Sequence, residues 1–253
     1  MVFESLLDPI FSPILNLSPW LGIAIISLFI SLIITIIYKY VTDQNLMKQL
    51  KSEMKEFQKE IKELKDNPEQ AMKVQKKAME TNMKYMMHSL KPTLFTILPI
   101  IIIFGWLNAH MAYYPLLPGQ EFTATVSFEE DAEGNIKLRT EGLEILGASS
   151  KEIEDSKVIF TLQGEGEGEY LLEFEKEKET YTKEVLLSGE RGEYADVEKI
   201  INENEIESIK LSNEPIKPFG GFSLFGWKPG WLGAYIIFSI LFSSILRKVL
   251  KIY

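Results

Sequence analysis

The chain has 253 residues, 46% of them hydrophobic, and a formal net charge of −9. It contains no cysteine and only two histidines, His88 and His110. Disulfides, thiolate metal sites and a histidine-rich metal centre are therefore excluded. The charge is not spread evenly, because three apolar spans divide the chain into hydrophilic pieces of different sign. Residues 1–19 carry no basic and two acidic side chains, and 39–91 carry 12 basic and 8 acidic. Residues 115–228 carry 12 basic and 26 acidic, and the tail from Arg247 carries 3 basic and none acidic. Lys and Arg near span ends stay on the cytoplasmic side, which predicts a multi-pass cell (plasma) membrane protein with its N-terminus outside and its C-terminus in the cytoplasm. With no basic residue in 1–19, that stretch is expected to be an outer or interfacial segment, and the first span a permanent anchor.

The first span is expected at 20–40, long enough as a helix to cross roughly 30 Å of hydrocarbon. Trp20, Tyr38 and Tyr40 suit the interfacial belts at its two ends. Ser27, Ser31 and Thr35 recur every four residues and so share one face. Either small hydroxyl residues simply let helices pack closely there, or the face forms a mildly polar groove.

Residues 41–91 read as a basic cytoplasmic arm. Met47, Leu50, Met54, Phe57, Ile61 and Leu64 follow a heptad rhythm, a coiled-coil seam. At Asn67-Pro68-Glu69-Gln70 the seam ends and a second helix starts, with Asn67 as cap, Pro68 at the first position and Gln70 placed to close a capping box. An antiparallel hairpin follows. Met72, Met79, Met83, Met86 and Met87 form a stripe on the return helix, suited either to filling the hairpin core or to gripping varied apolar partners. Lys73, Lys76, Lys77 and Lys84 lie on other faces and are candidates for contact with anionic lipid or with rRNA phosphates.

The second span is expected at 93–114, with Pro99 inside it. From 120 to 217 an acidic stretch alternates like a series of short strands, at Glu121 to Phe128, Ile136 to Leu138, Lys157 to Gln163, Glu169 to Phe174 and Tyr181 to Leu187. These predict an extracytoplasmic antiparallel β-sandwich, immunoglobulin-like in its Gly-rich turn at 166–170. Val197 to Ile209 reads as a short helix followed by a last strand. An interfacial loop at 218–230 leads to a third span with a basic tail at 231–250, where Ser239 and Ser243 again share a face. That span has 16 residues before Arg247, about 24 Å of helix, so local bilayer thinning or snorkelling is expected.

The ordered set of Asn67-Pro-Glu-Gln, Met79 to Met87, Leu90-Lys91-Pro92, Leu98-Pro99-Ile100, Phe104-Gly105-Trp106, and Trp231 to Tyr235 through Leu246-Arg247-Lys248 resembles the archaeal YidC-like proteins. It covers about residues 1–115 and 215–253. Those proteins are similar to the bacterial YidC insertases and to insertase subunits of endoplasmic-reticulum complexes. The resemblance implies a membrane protein insertase or intramembrane chaperone, with three spans around a groove open to cytoplasm and lipid. Carried over, Ser27, Ser31, Thr35, Ser239 and Ser243 become groove-lining candidates, and Met79, Met83, Met86 and Met87 become substrate-capture candidates. The implied partners are nascent membrane proteins, the lipid bilayer, the ribosome through the basic arm, and a small membrane subunit. Many bacterial members carry a groove arginine, whereas the nearest basic residue to this hydroxyl face in sequence is Lys39. The β-domain is extra to the family pattern.

No cofactor is expected, and the phosphate-binding Gly-x-x-x-x-Gly-Lys-[Ser/Thr] pattern is absent, so insertion would need no nucleotide hydrolysis. No motif joins a nucleophile to a base, so the protein is not expected to be an enzyme. The alternative reading is a non-insertase scaffold or receptor that docks partners through the coiled coil and the outer domain.

Overall fold

Apolar length and helix signals produce five helices, and alternation produces nine strands, in a computed structural model that describes residues 4–223 and 226–252, with backbone only at 4–6. The first three residues of the 1–19 segment, and Leu224 and Phe225 of the 218–230 loop, lie outside the described residues. The chain divides into two compact units. One comprises Met1–Pro19 and Gly105–Trp231, the other Trp20–Phe104 and Leu232–Tyr253.

The second of these units is helical. It contains nearly all of α2 (Pro19–Val41), then α3 (Gln44–Glu63), most of α4 (Pro68–Met111) and nearly all of α5 (Trp231–Val249). Helices α2, α4 and α5 are each long and apolar enough to cross a membrane. Asp43 caps α3, its carboxylate accepting from the amides of Asn45 and Leu46 at 3.0 and 3.1 Å, a device that stabilises a helix start by about 1 kcal/mol. Asn67 caps α4 as its residue type predicts, accepting from the Gln70 amide at 3.2 Å. The reciprocal half of the expected capping box is not formed by Gln70, because the Asn67 amide donates instead to the Leu64 carbonyl at 3.0 Å.

The boundary expected at residue 93 is not a helix boundary. Helix α4 runs 44 residues without a break and contains both Pro92 and Pro99. Each proline removes one backbone donor, a loss that spanning helices tolerate more readily than soluble ones. The helix also ends at Met111 rather than at Tyr114. Tyr113 and Tyr114 have already turned into extended chain, Tyr113 bridging Pro215 and the Tyr114 amide donating to the Glu214 carbonyl at 2.8 Å.

The other unit begins with helix α1 (Glu4–Leu15), which includes Pro9 and Pro13 and lies in the segment expected to be outer or interfacial. Its larger part is two antiparallel sheets. Strands β1 (Glu121–Phe128), β2 (Asn135–Thr140), β3 (Glu144–Leu146), β4 (Ser150–Glu152), β5 (Lys157–Gln163), β6 (Gly168–Lys176), β7 (Glu179–Leu187), β8 (Glu198–Glu203) and β9 (Ile206–Leu211) form sheets ordered β3-β5-β1-β9-β8 and β4-β2-β6-β7. The inward residues of both sheets share one core, including Phe122, Val126, Phe160, Leu138, Phe174 and Val185. The Phe160 and Phe174 rings meet across it with centroids 5.9 Å apart.

This order puts β1 and β2 in different sheets, whereas the first two strands of a constant-type immunoglobulin domain are neighbours. The short helix expected after Val197 is replaced by β8, whose burial pattern does not alternate because it is an edge strand. Asn204 and Glu205, with φ of 48° and 65°, turn the chain into β9 as a two-residue hairpin loop. The free edge of β7 is blunted by lysines: Lys199 donates to the Thr182 carbonyl at 2.7 Å, and buried Lys183 donates to the Asp196 carbonyl. Burial pushes the Lys183 ammonium below the usual lysine range.

Candidate functional site

Helix α4 presents two opposite faces. Ala71, Val74, Ala78, Thr81, Tyr85, His88 and Pro92 step by three and four residues and are all buried or half-buried. In α3 the expected heptad residues are likewise the shielded ones, Met47 and Leu50 fully and Met54, Phe57, Ile61 and Leu64 partly. With only residues 64–67 between the helices, these are the faces that an α-hairpin can close on itself. Small side chains occupy the α4 side of that seam from Ala71 to Thr81, and Tyr85 and His88 sit half-buried further along it.

The methionines take the other face. Met79, Met83, Met86 and Met87 are 66, 57, 46 and 63% exposed. At about 100° per residue, Met72, these four, Leu90, Leu94, Ile97 and Ile101 fall within roughly 60° of one direction, and all of them are exposed. The methionines therefore do not fill the hairpin core. One largely apolar stripe, interrupted on the arm by Lys76, continues from the polar arm into the membrane-crossing part of the same helix. Lys73, Lys76, Lys77 and Lys84 are exposed on this part of α4, and Lys73 forms an ion pair with Glu69 at 2.9 Å.

Helix α2 turns Ser27, Ser31 and Thr35 inward, all buried, while Ile25, Leu28, Phe29, Leu32 and Ile36 stay exposed on the opposite side. The Thr35 hydroxyl donates to the Ser31 carbonyl at 2.6 Å. The Ser27 Oγ and, on α5, the Ser239 Oγ are buried without a hydrogen-bond partner. Ser243 is half-buried and donates to the Ile240 carbonyl at 3.3 Å. Beside these hydroxyls α2 meets α4 around a cavity of about 10 Å³ lined by Ile30, Ile33, Ile34, Ile37, Thr96 and Ile103 among others. Apart from Thr96 the named lining is apolar.

Three helices converge at Tyr38, a residue that sequence reading treated only as an interfacial anchor. Its ring lies 4.6 Å from the Arg247 guanidinium of α5, and its hydroxyl interacts with that of Tyr85 of α4. Arg247 of α5 therefore places a guanidinium beside the last turn of α2, the end that also carries Lys39. On α5, Tyr235 meets Phe104 of α4 edge-on, ring centroids 4.7 Å apart.

The family model described as integral membrane protein EMC3/TMCO1-like matches residues 4–130. The chain belongs to this family. EMC3/TMCO1-like proteins fall within the YidC/Oxa1/Alb3 insertase-related superfamily, so this is a multi-pass membrane protein whose function relates to membrane protein insertion. No curated protein and no solved structure matches the chain. The matched part of this EMC3/TMCO1-like chain contains α1 to α4 and β1, hence the methionine stripe and the α2 hydroxyls. Ser239, Ser243 and strands β2 to β9 lie beyond it.

In this EMC3/TMCO1-like protein the end of α4 is tied to α1 and to the loop 188–196 by side chains that no local motif advertises. Phe11 and Trp106 pack with ring centroids 5.1 Å apart, and the Trp106 indole donates to Asp8 at 2.8 Å. Arg191 donates to the Leu17 carbonyl at 2.7 Å. Tyr194 donates to the Asn108 carbonyl at 2.6 Å and accepts from the Ala112 amide at 3.0 Å. Burial pushes its phenol up to about 12. Gly192, at φ +88°, allows this approach, since a Cβ there would lie 2.8 Å from Leu15 and 3.2 Å from the His110 carbonyl.

Proposed function

We propose that this protein is an insertase and intramembrane chaperone that moves client transmembrane segments and short hydrophilic flanks into the bilayer without nucleotide hydrolysis and without enzymatic chemistry. The observation that carries this reading is the continuity of α4, one helix whose exposed and largely apolar stripe runs from Met72 to Ile101 with Lys76 as its one charged member. At about 1.5 Å per residue that is a track of roughly 43 Å. Met79, Met83, Met86 and Met87 engage an apolar client segment without demanding one shape, and the same face then delivers it to lipid. The driving force is the client's own apolar burial.

The client's polar flank has the harder path, because each unsatisfied polar group in hydrocarbon costs several kcal/mol. Ser27, Ser31, Thr35, Ser239 and Ser243 are the groups we assign to a hydroxyl-lined groove, and the unpaired hydroxyls of Ser27 and Ser239 support that assignment. Lys73, Lys76, Lys77 and Lys84 contact anionic lipid or rRNA phosphates on the cytoplasmic side, where α3 and α4 form a coiled-coil hairpin. The charge split supports a plasma membrane topology with the N-terminus and β-domain outside and the C-terminus inside. Nascent membrane proteins, the ribosome and a small membrane subunit are the partners we assign.

Replacing Ser31 and Ser239 by leucine puts apolar side chains where the groove would present hydroxyls, at an overpacking cost of about 1–3 kcal/mol for each buried site. Insertion of reporter membrane proteins into vesicles containing the double variant should fall several-fold below wild type. Undiminished insertion by a normally folded variant removes the groove from the mechanism.

A further inference from the structure

We propose that His110 and Asp8 form a proton-operated latch between α1 and the end of α4. The His110 Nδ1 lies 2.8 Å from the Gly192 carbonyl, a distance that makes it the protonated nitrogen of the neutral ring, since a carbonyl can only accept. The other nitrogen, Nε2, is buried and has no hydrogen-bond partner. It points toward the Asp8 carboxylate at 3.8 Å, too far for a good hydrogen bond. Asp8 already accepts from Trp106, whose ring centroid lies 4.7 Å from that of His110.

A second proton on the ring turns Nε2 into a donor aimed at a carboxylate. A charge-assisted hydrogen bond then closes the gap, and α1 is drawn onto α4 and the 188–193 loop. Imidazoles as a class exchange protons between about pH 5 and 8, which sets the interval over which the latch is tested. The charged groups that face the ring come from two elements. Asp8 faces the ring from α1, and Glu190, Arg191 and Glu193 line the same cleft from the loop. The Arg191 guanidinium is occupied by the carbonyl of Leu17. Tyr194, the nearby phenol, stays neutral because burial holds its titration near about 12. The cleft measures about 1,110 Å³, so water and buffer reach it.

The chain has no cysteine, so a single Ser12→Cys on the cleft-lining side of α1 carries one nitroxide label in the full-length protein in vesicles. The latch predicts a reversible broadening of the label's spectrum between pH 8 and pH 5. His110→Gln should abolish it while keeping a donor for Gly192, and Asp8→Asn should abolish it while keeping an acceptor for Trp106. If His110→Gln fails to fold, Asp8→Asn alone decides. A pH-independent spectrum in the otherwise wild-type chain, or a response that persists in either folded variant, overturns the proposal.

Discussion

Converting Met79, Met83, Met86 and Met87 together to serine should weaken client capture while leaving the protein folded. Their exposures of 66, 57, 46 and 63% mean that roughly half of each side chain remains for a partner to cover. Full burial of a methionine is worth about 1.5–3 kcal/mol, so the exposed parts offer about 1 kcal/mol each. A client that covers half of that surface gains about 2 kcal/mol from the four residues, which corresponds to about 30-fold in affinity. The fold should barely notice, because exposed substitutions usually change stability by less than about 0.5 kcal/mol each. The assay is binding of a fluorescent transmembrane-segment peptide to the protein in nanodiscs, with circular dichroism melts run in parallel. Binding within about threefold of wild type, by a variant that melts normally, would refute the stripe as the capture surface. Loss of the melt itself would show that the methionines are structural after all.

Two predictions concern the unit that holds the sheets. Tyr194 titrates near about 12 in the folded protein against about 10 when unfolded; a raised pKa contributes stability that is present below pH 10 and lost as pH rises through about 12. That loss is on the order of 3 kcal/mol, so Tyr194→Phe should flatten the decline in melting temperature between pH 9 and 12 relative to wild type. Phe174 is fully buried against Phe160. Its replacement by alanine should cost about 3–5 kcal/mol, visible in denaturant unfolding as a lower midpoint.

The spans were legible in the sequence because nothing else explains three long apolar runs, and five strands were legible through their alternation. The inner face of α4 was not. A burial rule based on hydrophobicity alone would turn Met72, Met79 and Met83 inward, yet Ala71, Val74, Ala78 and Thr81 are the shielded residues. Small side chains let two helices approach closely, and their three-four spacing was as regular as that of the methionines. Strand β8 escaped detection because an edge strand with an exposed side does not alternate. Helix α1 is hard to read locally because Pro9 and Pro13 lie inside it. The Asp8–Trp106 and His110–Gly192 contacts join residues 98 and 82 positions apart, a pairing that local pattern cannot reveal.

The central claim, that clients travel along the outward stripe of α4, is tested most directly by site-specific photocrosslinking during translation of a short membrane protein in the presence of vesicles. A photoreactive side chain at Met83, and one at Leu94 further along the same stripe, should each capture the nascent chain. The same probe at Thr81, on the shielded face, should not. Equal crosslinking from Met83 and Thr81, or none from Met83 and Leu94, would contradict the account.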